Sequence, residues 1–338
     1  MITILQFAGG FVLLLFGAEY LVRGAVSLAR RLNVSPMIIG MTIVAYGTTA
    51  PELVVSLQAA IDGLPGIAVG NVVGSNIANI LLILGVSAVI FPIVVKPKLL
   101  YRDAAVMGGS ALLFTALALS GRIERWQGIL MVAVLVGYSI YAFWSERKRG
   151  KSNDPGDMAE ELADEFKSPP QATWLSILSV IGGVAAVVTG AKLLVTAAVF
   201  TARSLGVGEE IIGLTIVAVG TSLPELATAT VAALKKHSEV AVGNIMGAGI
   251  YNLLAIMGLV SAVAPVDVPR QILAFDLWFM LAVTGTLLFF LMVRKGLARP
   301  VGMAFLALFV AYTVLQYYGV ERVFGPARQA AVSMGLSG

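Results

Sequence analysis

Residues 40–85 read GMTIVAYGTTAPELVVSLQAAIDGLPGIAVGNVVGSNIANILLILG, and residues 213–258 read GLTIVAVGTSLPELATATVAALKKHSEVAVGNIMGAGIYNLLAIMG. The two stretches align without a gap at an offset of 173, with 22 of 46 positions identical. Upstream, Gly9, Gly10, Gly17, Ala18, Leu21 and Val22 fall on Gly182, Gly183, Gly190, Ala191, Leu194 and Val195, and downstream Asp103 falls on Asp276. The chain is a duplicated unit, and the polar segments are among its best-matched parts.

The sequence around the repeat is apolar. Of 338 residues, 58% are hydrophobic and 12% charged, and the mean hydropathy is +0.92. A soluble domain carries about 45–50% apolar and about 25% charged residues. Such a chain cannot coat a water-soluble globule with polar groups, so lipid is its solvent. The absence of cysteine excludes a disulfide framework, a thiolate metal site and a cysteine nucleophile. The single histidine, His237, rules out a histidine-rich metal cluster. An excess of 23 basic over 19 acidic residues is small; in a membrane protein it belongs to cytoplasmic loops rather than to nucleic-acid binding.

A spanning helix needs about 20 apolar residues. Ten stretches qualify: 3–28, 36–61, 67–92, 101–120, 127–145, 172–201, 209–234, 239–264, 272–293 and 300–319. None has the form of a cleaved signal peptide. The polar stretch 146–171 divides the chain into a first five-helix repeat (1–145) and a second (172–319), followed by a tail, 320–338. Because five is odd, the copies enter the membrane from opposite sides. The predicted fold is an all-α polytopic membrane protein of ten transmembrane helices in two inverted-topology repeats, the architecture of secondary transporters. A cytoplasmic linker puts 15 lysines and arginines on the inner side and 6 on the other, so both termini are predicted to be non-cytoplasmic. The acidic run Asp154–Glu165 lacks the glycine-centred spacing of a calcium loop and reads as a solvated linker.

Within spans 2 and 7 stand Gly47-Thr48-Thr49-Ala50-Pro51-Glu52 and Gly220-Thr221-Ser222-Leu223-Pro224-Glu225. An ionisable side chain at that depth is expensive and marks an ion path. Proline removes a backbone donor, so Pro51 and Pro224 are expected to free the carbonyls of Gly47 and Gly220. Carbonyls, hydroxyls (Thr48, Thr49, Thr221, Ser222) and two carboxylates form an all-oxygen set suited to hard cations such as Ca²⁺, Mg²⁺ or Na⁺. A buried carboxylate pair needs a positive companion at all times, which couples one ion's exit to another's entry. Spans 3 and 8 add Gly70, Asn71, Gly74, Ser75 and Asn79 against Gly243, Asn244, Gly247, Ala248 and Asn252. The glycines, four apart, suit close helix packing. Asn79 and Asn252 offer amide oxygens; for Asn71 and Asn244, ligation and interhelical bonding stay open.

The pair GTTAPEL and GTSLPEL, each followed by a GN-x-x-G segment, resembles the two alpha repeats of the calcium/cation antiporter superfamily, in its sodium/calcium exchanger branch. The resemblance covers nearly the whole chain. It implies an antiporter of the inner membrane that exchanges Ca²⁺ for Na⁺ at a site built on Glu52 and Glu225. Carried over by position, Thr48, Thr49, Ser75, Asn79, Thr221, Ser222 and Asn252 line the ion sites, with the backbone carbonyls of Ala45 and Ala218. No cofactor and no obligatory protein partner are expected; the partners are the transported ions and the bilayer. Ser75 has Ala248 as its repeat mate, and Asn252 stands where many relatives carry aspartate. The missing hydroxyl leaves an H⁺-coupled or altered-stoichiometry variant open, and the missing aspartate argues against K⁺ co-transport. The alternative is H⁺-coupled or K⁺-dependent exchange, with a cation channel as the rival of another class. An intramembrane enzyme is excluded, since no nucleophile and base can be assembled.

Among the other charges, Glu19 and Arg23 are expected to pair one turn apart. Lys192 is the repeat mate of Glu19 and a candidate for a cross-repeat contact. Asp103 and Asp276 are expected to cap or favour the starts of spans 4 and 9, and His237 to be a solvated loop residue. Glycines 9, 10, 17, 182, 183 and 190 are expected to ease a movement of spans 1 and 6 across the rest.

Overall fold

A computed structural model describes residues 2–32, 40–95, 97–152, 172–204 and 218–318. The first half comprises α1 (Ile2–Leu32), α2 (Ala45–Thr48), α3 (Ala50–Ile61), α4 (Pro65–Ala78), α5 (Gly85–Ile90), β1 (Ile93–Val94), α6 (Pro97–Ala118), β2 (Arg122–Ile123) and α7 (Arg125–Ser152). The second comprises α8 (Thr173–Ser204), α9 (Ala218–Thr221), α10 (Leu223–Leu234), α11 (Ser238–Ile250), α12 (Met257–Val263), β3 (Val266–Asp267), α13 (Leu277–Met292), β4 (Gly296–Leu297) and α14 (Arg299–Tyr318). Short π-helical stretches at Gly40–Val44, Asn79–Leu84, Tyr251–Ile256 and Ile272–Asp276 lead into or join these helices.

The chain is a polytopic all-α membrane protein. Among the described residues seven helical stretches are long and apolar enough to cross a membrane, and Ala50–Ile61 and Leu223–Leu234 are shorter apolar helices. The predicted span 101–120 corresponds to α6. Spans 36–61 and 209–234 are interrupted at Thr49 and Ser222, and residues 33–39 and 205–217 lie outside the described ones. So do the acidic run, the remainder of the linker, the tail from 319 and, among the counted charges, Lys96, Lys167, Arg322 and Arg328. The linker was expected from 146, but α7 runs to Ser152.

Burial sorts the spans into a core and a lipid face. Pro65–Ile90 is 72% buried and Ser238–Val263 83%, against 11% for Arg299–Gln316. Val72, Val73, Ile77, Ile245, Met246 and Leu254 pack in that core with almost no exposure. All four tryptophans are exposed, and Trp126 and Trp174 are the second residues of α7 and α8. Rings at helix ends with one side outward suit the membrane–water boundary.

Two antiparallel strand pairs join the halves. Ile93 pairs with Leu297 and Val94 with Gly296, while Arg122 pairs with Asp267 and Ile123 with Val266. Helices α1 and α8 pack along their length, and their glycines explain how. A Cβ on Gly10 would lie 2.9 Å from the Gly190 carbonyl oxygen, and one on Gly183 would lie 2.7 Å from the Leu21 nitrogen. Gly17 meets Ala186 and Val187 in the same way. Gly10, Gly17, Gly183 and Gly190 therefore bring α1 and α8 against each other, instead of easing their passage over the core.

Asp103 and Asp276 do not cap helices. Asp103 is fully buried within α6, accepting from Tyr138 Oη at 2.8 Å and Arg102 Nε at 2.6 Å. Asp276 ends a π-helical stretch and accepts from Tyr312 Oη at 2.9 Å and from Gln316 Nε2. Each aspartate thus fastens its helix to the next long one, α6 to α7 and α13 to α14. His237 is half-buried in the turn before α11 rather than solvated.

Candidate cation site

The two GT-x-x-PE segments fold alike. Proline cannot donate to the preceding turn but fits the first turn of a helix, where no donor is needed. The chain exploits this by stopping and restarting instead of kinking. Thr49 (φ −81°, ψ 1°) and Ser222 (φ −88°, ψ 5°) interrupt the helix, with Pro51 and Pro224 in the first turns of α3 and α10. Glu52 and Glu225 occupy those same first turns and are fully buried. A carboxylate there faces the positive end of its helix dipole. The two carboxyls come from different halves yet stand close enough to interact electrostatically.

Around them the halves interlock through the polar residues of the repeat. Thr48 donates from Oγ1 to Asn244 Oδ1 at 3.3 Å, and its repeat mate Thr221 donates to Asn71 Oδ1 at 3.4 Å. The amide groups donate onward, Asn71 Nδ2 to Ser56 Oγ at 2.9 Å and Asn244 Nδ2 to Thr228 Oγ1 at 3.0 Å. Asn71 and Asn244 thus make interhelical ties, one of the two readings left open by the sequence. Ser56 and Thr228 had no role in that reading. Their signal was a hydroxyl four residues after Glu52 and three after Glu225, on the carboxyl's own helix face.

Ser222 Oγ lies 3.4 Å from Glu52 Oε1 and 3.5 Å from Ser75 Oγ. Ser75 is 3% exposed, and fully buried Ala248 fills its counterpart's place. The Ala45 carbonyl accepts from Thr49 N–H at 3.0 Å and Thr49 Oγ1 at 2.8 Å, and Thr48 Oγ1 lies 3.3 Å from it. It gathers both threonine hydroxyls into one turn. Ala218 opens α9 at the matching place. A Cβ on Gly47 would lie 2.6 Å from a Val184 methyl, and one on Gly220 would strike Val195, so α8 presses on both broken helices. Gly247 packs against Met41 and Ala45, as close packing predicts, whereas a Cβ on Gly70 or Gly74 would meet nothing within 4 Å among the described residues.

The remaining polar atoms stand apart. Glu52 Oε2, both Glu225 carboxyl oxygens, and the amide oxygen and nitrogen of Asn79 and Asn252 are buried with no hydrogen-bond partner among the described residues. Asn79 and Asn252 each sit in a π-helical stretch, a local widening that recurs at functional sites. A buried polar atom without a partner costs about 1–3 kcal/mol, more if charged. Leaving this many in one dry interior is affordable only if something else engages them. The donors are oxygens, and no three His, Cys, Asp or Glu side chains cluster among the described residues. That set fits a hard cation in passage and does not fit zinc or copper.

The fold is that of a polytopic all-α membrane protein, and the comparisons give the family. The sodium/calcium exchanger protein family matches residues 2–144 and 175–318, and the chain belongs to it. CaxA of Alkalimonas amylolytica is 37% identical over 316 residues, covering 91% of this chain and 96% of that protein. The sodium/calcium exchanger MaX1 of Methanosarcina acetivorans is 33% identical, covering 91% and 97%. The inner membrane protein YrbG of Escherichia coli is 32% identical, covering 91% and 95%. Among solved structures, the sodium-calcium exchanger NCX_Mj soaked with 10 mM Na⁺ and zero Ca²⁺ superposes with a TM-score of 0.78 at 28% identity, covering 92% of this chain and 97% of that one.

Proposed function

We propose that this protein is a secondary antiporter that exchanges Ca²⁺ for Na⁺ across the inner membrane, at a site shared by its two halves. Ten spans in two inverted five-helix repeats deliver Glu52 and Glu225 to the midplane. Thr48, Thr49, Ser75, Asn79, Thr221, Ser222 and Asn252 complete the oxygen shell, with the Ala45 and Ala218 carbonyls one turn before. The observation that carries the reading is the set of buried, unpartnered carboxyl and amide atoms of Glu52, Glu225, Asn79 and Asn252. Two carboxylates balance one Ca²⁺ or two Na⁺, and in a dry interior they require that compensation throughout the cycle. Emptying the site is thus uphill unless a second cation arrives, which makes transport an exchange. The packed pair α1 and α8 moves as one body across the rest and opens the site to each side in turn. The linker is cytoplasmic and the termini lie on the other side.

The test is ⁴⁵Ca²⁺ uptake into proteoliposomes under imposed Na⁺, K⁺ or H⁺ gradients. Uptake is expected only with Na⁺ loaded inside. Uptake without any counter-ion gradient would make the protein a channel, and uptake driven by H⁺ or requiring K⁺ would replace the coupling ion.

The two asparagine pairs give a separate prediction. Asn79→Ala and Asn252→Ala are expected to weaken Ca²⁺ affinity about tenfold with little loss of heat stability, because neither amide holds the fold together. Asn71→Ala is expected to do the reverse, costing about 1–3 kcal/mol by removing the tie to the Ser56 hydroxyl and the cross-half contact with Thr221. Concentration dependence of uptake and thermal unfolding in detergent separate the two effects.

A further inference from the structure

Glu19, in the linker-side part of α1, is held by Lys235 Nζ at 2.9 Å from the end of α10 and by Arg23 one turn on. At the offset of 173 the mate of Glu19 is Lys192 and the mate of Lys235 is Asp62. The mirrored contact is therefore Lys192 with Asp62, the same pair with its charges exchanged. Both acids come from the first half and both bases from the second, so each cross-half encounter is attractive. Among the described residues this second pair is open: Lys192 is exposed and makes no ion pair, and Asp62 accepts from Gln58 Nε2 at 2.8 Å. Helix packing follows the same asymmetry, since α1 lies along α10 while α8 has no comparable contact with α3.

Glu19 and Lys192 both lie near the middle of their long helices, about two turns apart along the antiparallel α1–α8 pair, with Glu19 nearer the linker. Ser27 of α1 meets Ser176 near the start of α8 through a 2.8 Å hydroxyl bond, marking the linker end. Gly10 meets Gly190 and Leu194 further from it, at the level of Lys192.

We propose that Glu19–Lys235 and Asp62–Lys192 form a charge-swapped latch that closes alternately at two levels of the α1–α8 pair, one contact fastening each facing state. The latch rests on the alternating-access reading given above. Its members suit the task. Glu19 and Lys235 keep about a third of their side-chain surface exposed, and a partly exposed pair is weak enough to break once per cycle. Each acid also has a standby partner four residues away on its own helix, Arg23 for Glu19 and Gln58 for Asp62, so neither is stranded when its cross-half contact opens.

The chain has no cysteine, so engineered thiol pairs report cleanly. Glu19→Cys with Lys235→Cys, and Asp62→Cys with Lys192→Cys, are to be cross-linked in proteoliposomes by a short bifunctional thiol reagent, with saturating Na⁺ placed first on one side and then on the other. The pairs are expected to cross-link under opposite conditions, each stopping exchange until reduced. Lys235→Gln and Lys192→Gln are expected to move the apparent Ca²⁺ affinity at a given face about three- to fivefold in opposite directions. The swapped pair Glu19→Lys with Lys235→Glu is expected to return it to the parent value, which a purely structural role would not predict. Cross-linking of both pairs under the same condition, or shifts of the same sign, would overturn the latch while parental exchange persists. Absence of Na⁺-driven exchange in the parent chain would overturn the functional reading instead.

Discussion

Glu52→Gln and Glu225→Gln are each expected to reduce Na⁺-driven Ca²⁺ uptake by at least about a hundredfold while leaving the folded protein no less heat-stable. Glutamine keeps the shape and one oxygen of the carboxyl, so packing around these fully buried side chains is preserved. What is lost is one of the two charges available to a divalent ion. Removing one partner of a buried charge interaction costs about 3–5 kcal/mol, and every 1.4 kcal/mol is about tenfold in affinity. Stability does not fall with it, because the unloaded protein carries two carboxyls that interact with each other and three oxygens among them without partners. Uptake and thermal unfolding measured on the same preparation check both halves of this expectation. A Glu225→Gln protein that still exchanged Ca²⁺ at the parental rate would remove the carboxyl pair from the site.

The second large effect is expected at the crossing of α1 and α8. Gly183→Ala puts a methyl group within 2.8 Å of the Leu21 backbone, where no side chain can swing away. Overpacking of that kind costs about 1–3 kcal/mol, and here it also tilts a helix that presses on Gly47 and Gly220 beside both glutamates. Gly182→Ala, one residue earlier, meets nothing within 4 Å among the described residues. Alanine there should be neutral or slightly stabilising, since glycine is the poorer helix former. The adjacent pair thus predicts one crippled protein and one normal one, read by unfolding midpoint and by uptake.

Much of this site was written in the chain. The repeat brought Glu52 onto Glu225 and Asn79 onto Asn252, and one buried carboxyl per half was enough to point at cation exchange. Three features were not legible, each for a physical reason. Proline at 51 and 224 is compatible with a kinked helix or with a stop and restart, and the choice depends on whether neighbouring helices supply partners for the freed backbone groups. The tie made by Asn71 and the unengaged amide of Asn79 differ only in which hydroxyls stand opposite them, a property of the assembled pair and not of either segment. The contact of Glu19 with Lys235 joins residues 216 apart, and the sequence pointed to Lys192 because it knows repeat mates but not helix ends. The tight glycines misled in the opposite way. A small residue invites a close neighbour, but not whether that neighbour is to slide or to be gripped.

The strand pairs at the two faces carry one more implication. Their bonds run from main chain to main chain, so the pairing itself does not depend on which side chains the strands carry. Ile93, Val94, Ile123 and Val266 could drift to other β-compatible residues without unpicking the join. Gly296 is the exception: at φ +151°, a Cβ would collide with the Ile93 carbonyl. Within these two strand pairs divergence of the halves is thus loosely constrained, and Gly296 alone among the paired residues is held to glycine.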